Sequence, residues 1–600
     1  MKAKLYNLQL LFLSLLGFYP LLKFDWSSKI AIAFCFISII SAILNKTINF
    51  TRKGLFNFLL MTSYLLLLFI SIIYSTNKEA SIKIIIQLTP LLIIPFLLSF
   101  TDFKIPRKNL SSIFVLFIAV NMLYTVFMIY LFLNNPSRLE FNLEHYLLDY
   151  DKFQFIINDN LYKNLFFVHK AYFSMGFVIC AVFSLNTFFI SSSKKYFIQI
   201  IYAFVFVYFS FWVFYAFSFP NVIALIVSVV FILYLNLKKK IFLSAVVLFL
   251  VSCAVFFNIK LKDVDVQRGF NFVKTFTNDK KYEVNDTRLE IYTSVANIIR
   301  KSRFSEIIFG SGVGDVQDKL NNDYKNRLSL HKSKNLLYFS EEFNDTYWYK
   351  NNIHVIANKE MAPKKNTNNA DLIVLDNLFE EVSHNICSEV TVTEEEVYTL
   401  SVFVKKGSSD KIILRLGEID QRAVFDVTKG KLFQKLDVKT AEIKMLSNDW
   451  YRCSITATLK KNGLALIGLP SDNGDYIYTS KSDKSLCFWG AQLEKGELSS
   501  YTKNSNEQVQ IALDKKLNTH NNYLYFLLTI GIVGLLFFLI FIVYLFKISL
   551  KPINALRVSF CIIIALNLLT ENILSRHWGL MFFTFMLMVL FSNKEKTIQL

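Results

Sequence analysis

Long apolar runs recur along this chain and break off once, between residues 259 and 520, where a polar excursion separates two groups of them. Runs long enough to cross a bilayer lie near 5–22, 28–44, 55–74, 80–100, 110–133, 165–190, 196–216, 218–236, 240–258, 523–546, 552–571 and 577–592. In lipid, every backbone polar group must be satisfied within its own segment, so these runs predict a polytopic all-α membrane protein of about twelve spans. A 54% hydrophobic composition with 61 Phe agrees. Basic residues precede the first run but no small-residue cleavage site follows it, so it reads as a retained helix rather than a signal peptide.

Basic residues in the short loops orient the spans. With the N-terminus inside, 17 Lys and Arg fall on the cytoplasmic side, among them Lys46, Arg52, Lys194, Lys238 and Lys547, against 6 on the other. The excursion then faces outward, which in a two-membrane bacterium means an inner-membrane protein with its large loop in the periplasm. The net charge of +19 follows from the same bias. Residues 331–505 hold 23 Lys and Arg against 24 Asp and Glu, and no basic-aromatic cluster marks a nucleic-acid partner. Basic cytoplasmic loops instead meet anionic membrane lipids. Seven cysteines form no metal motif. Cys35, Cys180, Cys253 and Cys561 lie in spans, while Cys387, Cys453 and Cys487 allow one disulfide or buried free thiols.

The chain divides into N-terminal transmembrane helices (1–258), a helical part of the excursion (259–330), an inserted β region (331–505), and a return segment with C-terminal transmembrane helices (506–600). In the helical part, Thr287 and Glu290 form a capping-box pattern that places Arg288 in a first turn. Leu289, Tyr292, Val295, Ala296 and Ile299 then recur at helical spacing, an apolar stripe suited to a membrane surface. Gly310-Ser311-Gly312-Val313-Gly314 lacks the preceding strand and following Lys-Ser/Thr of a phosphate loop and predicts a tight turn. From 331 the period changes to two. Tyr398, Leu400, Val402 and Val404 alternate with Thr399, Ser401 and Phe403, and a second such run spans 451–459. Half-buried strands at short spacing predict a β-sandwich.

Two resemblances meet in this sequence. The membrane portion resembles the O-antigen ligase/polymerase family of bacterial surface-polysaccharide enzymes. It does so through Asp286-Thr287-Arg288 with Tyr292, Ile308-Phe309-Gly310-Ser311-Gly312-Val313-Gly314-Asp315, and Thr519-His520-Asn521-Asn522-Tyr523-Leu524. Gly531-Ile532-Val533-Gly534, Leu569-Thr570-Glu571-Asn572, Arg576-His577-Trp578-Gly579 and Val168-His169-Lys170-Ala171-Tyr172 add to it. Departures are Tyr292 where Trp is common, and Ser218-Phe219-Pro220-Asn221 where relatives often carry Ser-Arg. The insert resembles a jelly-roll, carbohydrate-binding-like module. The carrying residues are Asn335–Phe343 with Trp348, Tyr398–Lys405, Trp450-Tyr451-Arg452-Cys453-Ser454, and Phe488-Trp489-Gly490-Ala491-Gln492-Leu493-Glu494.

The first resemblance implies a lipopolysaccharide-biosynthesis transferase that passes a glycan from undecaprenyl diphosphate to an acceptor hydroxyl, with inversion and without a cofactor or metal. Arg288, with Arg268 (beside Gly269, in no matching motif) as a second candidate, would bind the leaving diphosphate, because a guanidinium stays charged and grips phosphate oxygens in pairs. His520 would be the general base, with Asn518 or Thr519 capping the next helix and leaving the imidazole in its first turn. Asn521, His169, Glu571 and Arg576 are candidate substrate contacts, and Glu571 and Arg576 could also pair with each other. Trp348, Trp450 and Trp489 are candidates for stacking on sugars, although core packing is the simpler role for tryptophan in a small sandwich.

A single dominant outer loop favours a ligase acting on lipid A–core. Arg138 and His145 in the other loop, 134–164, keep a polymerase extending a growing glycan in play, and transfer to protein is a third version. A flippase, a different class, needs ionisable residues at the midplane of several helices, where only Lys83 and Gln87 stand out.

Overall fold

The computed structural model describes residues 2–22, 24–133, 170–191, 196–260, 287–330, 333–345, 347–363, 368–376, 381–390, 392–480, 483–504 and 507–592. The chain separates into two compact units, one formed by Met1–Asp323 with Asp514–Leu600 and the other by Tyr324–Leu513.

The first unit is helical. Its helices are α1 (Lys2–Leu16), α2 (Phe24–Leu44), α3 (Arg52–Ser71), α4 (Lys78–Leu88), α5 (Pro90–Phe100), α6 (Arg107–Leu133), α7 (Lys170–Ile190), α8 (Tyr196–Ala216), α9 (Phe219–Asn236), α10 (Lys239–Lys260), α11 (Thr287–Lys301), α12 (Phe304–Phe309) and α13 (Val316–Leu330), which crosses into the second unit. After the β region come α14 (Glu507–Asp514), α15 (Asn522–Leu550), α16 (Ala555–Asn567) and α17 (His577–Phe591). Among the described residues, eight helical segments are long and apolar enough to cross a membrane, which makes this a multi-pass membrane protein by length and composition. The segment Lys78–Phe100 is one of them, divided into α4 and α5 at Pro90, which has no N–H to continue the ladder. Three further apolar helices, Lys4–Leu16, Ala555–Asn567 and His577–Phe591, are shorter than a full span.

α7 is the hub, buried along nearly its whole length and packed on α8, α9 and α16. A polar knot joins three of these helices. The Asn221 side-chain amide of α9 donates to Ala171 O at 2.9 Å, and its Oδ1 accepts Asn567 Nδ2 of α16 at 2.7 Å. In an apolar interior such paired amides are satisfied only in one register, so they fix how the helices meet.

Among the described residues, the second unit contains two six-stranded β-sheets and a small two-stranded one. Its strands are β1 (Tyr349–Asn351), β2 (Ile353–Met361), β3 (Asn368–Leu375), β4 (Glu381–Ser383), β5 (Asn385–Val390), β6 (Glu396–Lys406), β7 (Lys411–Gly417), β8 (Arg422–Asp426), β9 (Lys431–Leu436), β10 (Thr440–Met445), β11 (Trp450–Leu459), β12 (Gly463–Gly468), β13 (Ile477–Thr479) and β14 (Ser485–Lys495). One six-stranded sheet runs β1-β5-β12-β7-β8-β9 and the other β10-β11-β6-β14-β3-β2, all antiparallel. Leu400, Val402, Val404 and Ile455 of the second sheet share a core with Ile386, Ile412, Leu414 and Ile467 of the first.

The expected half-buried alternation fails in β6, where Thr399 to Val404 are buried on both faces. The outer face of that sheet is covered by residues 496–504. Thr399 Oγ1 donates to Gly496 O at 2.6 Å, and Arg452 donates to Ser499 O at 2.6 Å and Ser401 Oγ at 2.9 Å. A second apolar cluster of Phe403, Trp450, Cys487 and Trp489 forms beneath this strap, with Tyr501 packed on it. The cysteines are free and buried.

Candidate functional site

Thr519 to Asn522 lead into α15. The expected cap at Asn518 or Thr519 is displaced: the N-cap is Asn521, whose side chain accepts the Leu524 N–H at 3.0 Å. His520 therefore sits before the helix, not in its first turn. Asn518 Oδ1 instead accepts the His520 N–H at 3.0 Å, a side-chain turn that asparagine makes readily. His520 has φ of +43°, a left-handed conformation that costs a non-glycine residue about 1–3 kcal/mol unless its surroundings enforce it.

The surroundings come from the loop after α16. Asn572, buried, uses Oδ1 to accept both the Thr519 hydroxyl at 3.0 Å and the Asn521 N–H at 2.9 Å. Asn522 N–H donates to Leu568 O at 2.9 Å, and Leu574 N–H donates back to Asn522 Oδ1 at 3.2 Å. Glu571 lies 3.5 Å from His520 Nδ1 through its Oε2, with the imidazole 24% exposed and the carboxylate 11%. Among the described residues, Glu571 thus makes a close contact with the imidazole of His520. Tyr172, near the start of α7, lies close enough to Glu571 and Arg576 to feel both charges. A partly exposed imidazole with Nδ1 near a buried carboxylate can accept a proton from a substrate hydroxyl while the carboxylate stabilises the resulting cation.

Arg288 occupies the exposed first turn of α11, as expected, with Glu290 in the same turn; the residue before Thr287 lies outside the described residues. The buried face of α11 is Ile291, Ser294, Val295 and Ile298, which shares only Val295 with the expected stripe; Leu289, Tyr292 and Ile299 are half-buried and Ala296 is exposed. The register is displaced because this helix packs on protein. Ile298, Ile299 and Ser302 border a small cleft opposite Leu527 and Leu528 of α15. Arg288 starts the same helix, about 15 Å along its axis from Ile298. His169, Arg268 and the loop 134–164 with Arg138 and His145 lie outside the described residues.

The glycine turn is built into the same helices. Gly310 has φ +81°, and a Cβ there would lie 2.2 Å from Thr529 C and O; Gly531 has φ +67° and the reciprocal clash with Ile308 O. Two backbones therefore touch where only hydrogen fits. Ser311 N–H donates to Leu528 O at 2.8 Å and Gly312 N–H to Thr529 O at 3.0 Å, beside the non-helical Gly531 inside α15. On the other side Asp315 accepts Ser75 Oγ, Thr76 N–H and Asn77 N–H, each at 2.8 Å, at the entrance to α4. Burial alone would raise its carboxyl, but these donors outweigh burial and hold it below the usual carboxylate range. The turn is a clasp between the α3–α4 corner and α15, in keeping with its lack of a phosphate-loop context.

The tryptophans belong to the interior. Trp348, Trp450 and Trp489 are at most 2% exposed, and the first two donate their indole N–H to Phe339 O at 3.0 Å and Met361 O at 3.1 Å. Their faces are spent on core contacts, so sugar stacking by these three residues is withdrawn.

Sequence reasoning missed Asn572 as a structural centre and Asp315 as a clasp. The signal for the first was a polar Thr570-Glu571-Asn572 run closing an apolar helix; for the second it was an acid directly following a glycine turn. Compared with models of protein families and with curated proteins, the chain matches none.

Proposed function

We propose that this protein is an inverting membrane glycosyltransferase that transfers a glycan from undecaprenyl diphosphate to an acceptor hydroxyl, acting as an O-antigen ligase on lipid A–core. The observation that carries this reading is the His520–Glu571 pair at the head of α15, held in a left-handed turn by the loop after α16. In the reaction, the acceptor oxygen attacks the anomeric carbon as its proton passes to His520 Nε2. The anomeric C–O bond breaks and the diphosphate leaves with the electron pair. Glu571 beside Nδ1 orients the ring and stabilises the imidazolium. Arg288, at a helix start, carries the charge type that a departing diphosphate requires.

The reading extends to a twelve-span protein of a bacterial inner membrane with residues 259–520 in the periplasm, and to a jelly-roll identity for the inserted module. Helices over all twelve apolar runs and a pair of six-stranded antiparallel sheets around one core are consistent with it.

The test replaces Arg288 and His520 separately with Ala and displays cell-surface glycans on a gel. Loss of the long-glycan ladder with bare lipid A–core supports a ligase; a single repeat unit on the core supports a polymerase. An unchanged surface polysaccharide in both variants sinks the proposal.

A further inference from the structure

We infer that Asn572 is a positioning residue for the proposed transfer, acting through His520 by clamping the two residues that flank it; this rests on His520 being the base. The geometry is specific. One oxygen, Asn572 Oδ1, accepts from Thr519 Oγ1 and from Asn521 N–H, so both neighbours of His520 hang from a single atom. The residue between them is the one with positive φ. A left-handed histidine relaxes toward ordinary backbone unless its flanks are fixed, and such relaxation swings Cα–Cβ and the ring with it. Asn572 is 1% exposed, so water does not readily replace the lost acceptor. The preceding residue, Glu571, meets the ring itself. Adjacent residues of one loop thus control the two things a base needs: Asn572 its backbone, Glu571 its imidazole. Thr519 adds a brace, because its hydroxyl also lies 3.0 Å from Asn521 O.

The chemistry of the clamp separates substitutions sharply. Among the described residues only acceptor character at Oδ1 is used, so Asn572→Asp keeps both bonds, whereas Asn572→Ala removes both. Asp also introduces a negative charge on the residue that holds both flanks of His520, and added negative charge in that neighbourhood favours the protonated imidazole.

The experiment measures transfer from a lipid-diphosphate-linked glycan by the full-length protein in detergent, as kcat, donor KM and pH profile. For Asn572→Ala, kcat is expected to fall at least tenfold with donor KM unchanged within about twofold. Asn572→Asp is expected to recover most of kcat and to move the acidic limb of the profile to higher pH. In the His520→Ala background, Asn572→Ala adds nothing. If Asn572→Ala does not fold, Thr519→Val, which removes one of the two bonds, is expected to lower kcat with the same KM split. An Asn572→Ala enzyme with wild-type kcat overturns the inference, as does an Asp variant as impaired as Ala with an unmoved profile. So does full additivity with His520→Ala, and so does a Thr519→Val enzyme with unaltered kcat. A wild-type protein that transfers nothing sinks the transferase reading instead, so the two failures are distinct.

Discussion

Asp315→Asn is the substitution whose consequence can be worked most directly from the structure. The carboxylate takes three donors with two oxygens: Ser75 Oγ and Asn77 N–H on Oδ1, Thr76 N–H on Oδ2. An amide removes the charge and turns one acceptor into an NH2 that faces a donor. Hydrogen bonds to a charged acceptor contribute about 1.5–3 kcal/mol each. Losing one and weakening the other two therefore costs about 3 kcal/mol, close to two orders of magnitude in the opening equilibrium, at ~1.4 kcal/mol per tenfold. Hydrogen exchange of the full-length protein in detergent reads this locally. Amides at 75–77 and 311–314 are expected to exchange roughly 100-fold faster in the variant, following that free energy. The β unit, with its own core, is expected to stay unchanged. The wild type carries a matching pH signature. A carboxyl depressed in the folded state contributes fully above its unfolded value, near pH ~3.9, and that contribution disappears as pH falls through the lower, folded value. Protection of the clasp is thus expected to persist at pH 5 and to be lost only in stronger acid, a step absent from the variant. Identical exchange in the two proteins at neutral pH would refute the reasoning.

Two further outcomes are expected. Gly531→Ala forces a Cβ to 2.2 Å from Ile308 O at a φ of +67° and should lower the melting temperature in detergent more than Gly496→Ala, where φ is +88° but nothing lies within 4 Å; equal effects would show that the close approach is unimportant. Glu507, buried and with no hydrogen-bond partner for either oxygen among the described residues, has its carboxyl pushed up to about 7, first by burial and then, against the pull of Lys503, by Glu342, Asp345 and Glu341. A raised carboxyl favours the folded state fully below its unfolded value, and that contribution is lost as pH rises through about 7. Glu507→Gln should therefore raise the melting temperature of the β unit at pH 8 and leave it little changed at pH 5, and a variant destabilised equally at both would contradict this.

Much of this protein is legible in one dimension. Apolar runs are a local property, so the helices over 28–44, 55–74, 196–216 and 523–546 appear where hydropathy predicts them. The shift to period two near 331 likewise announces the β region, although the compact unit runs from Tyr324 to Leu513 and takes in α14, which reads by itself as a polar lead. Burial was less legible. Whether Thr399 and Ser401 face water depends on a strap 100 residues away, and the buried face of α11 depends on which helix lies against it. Arg288 in a first turn could be read from Thr287 and Glu290, because capping is decided within four residues.

The candidate site divides along the same line. The order of residues alone marks Thr519-His520-Asn521 as polar chemistry at the head of a membrane helix, and marks Gly310 to Asp315 as a turn. Only the tertiary structure sets Glu571 against His520, hangs both neighbours of that histidine from Asn572, and ties Asp315 to Ser75. Helix and turn signals act over a few residues, whereas these contacts join positions 50 to 240 apart and come about only when packed helices bring their ends together.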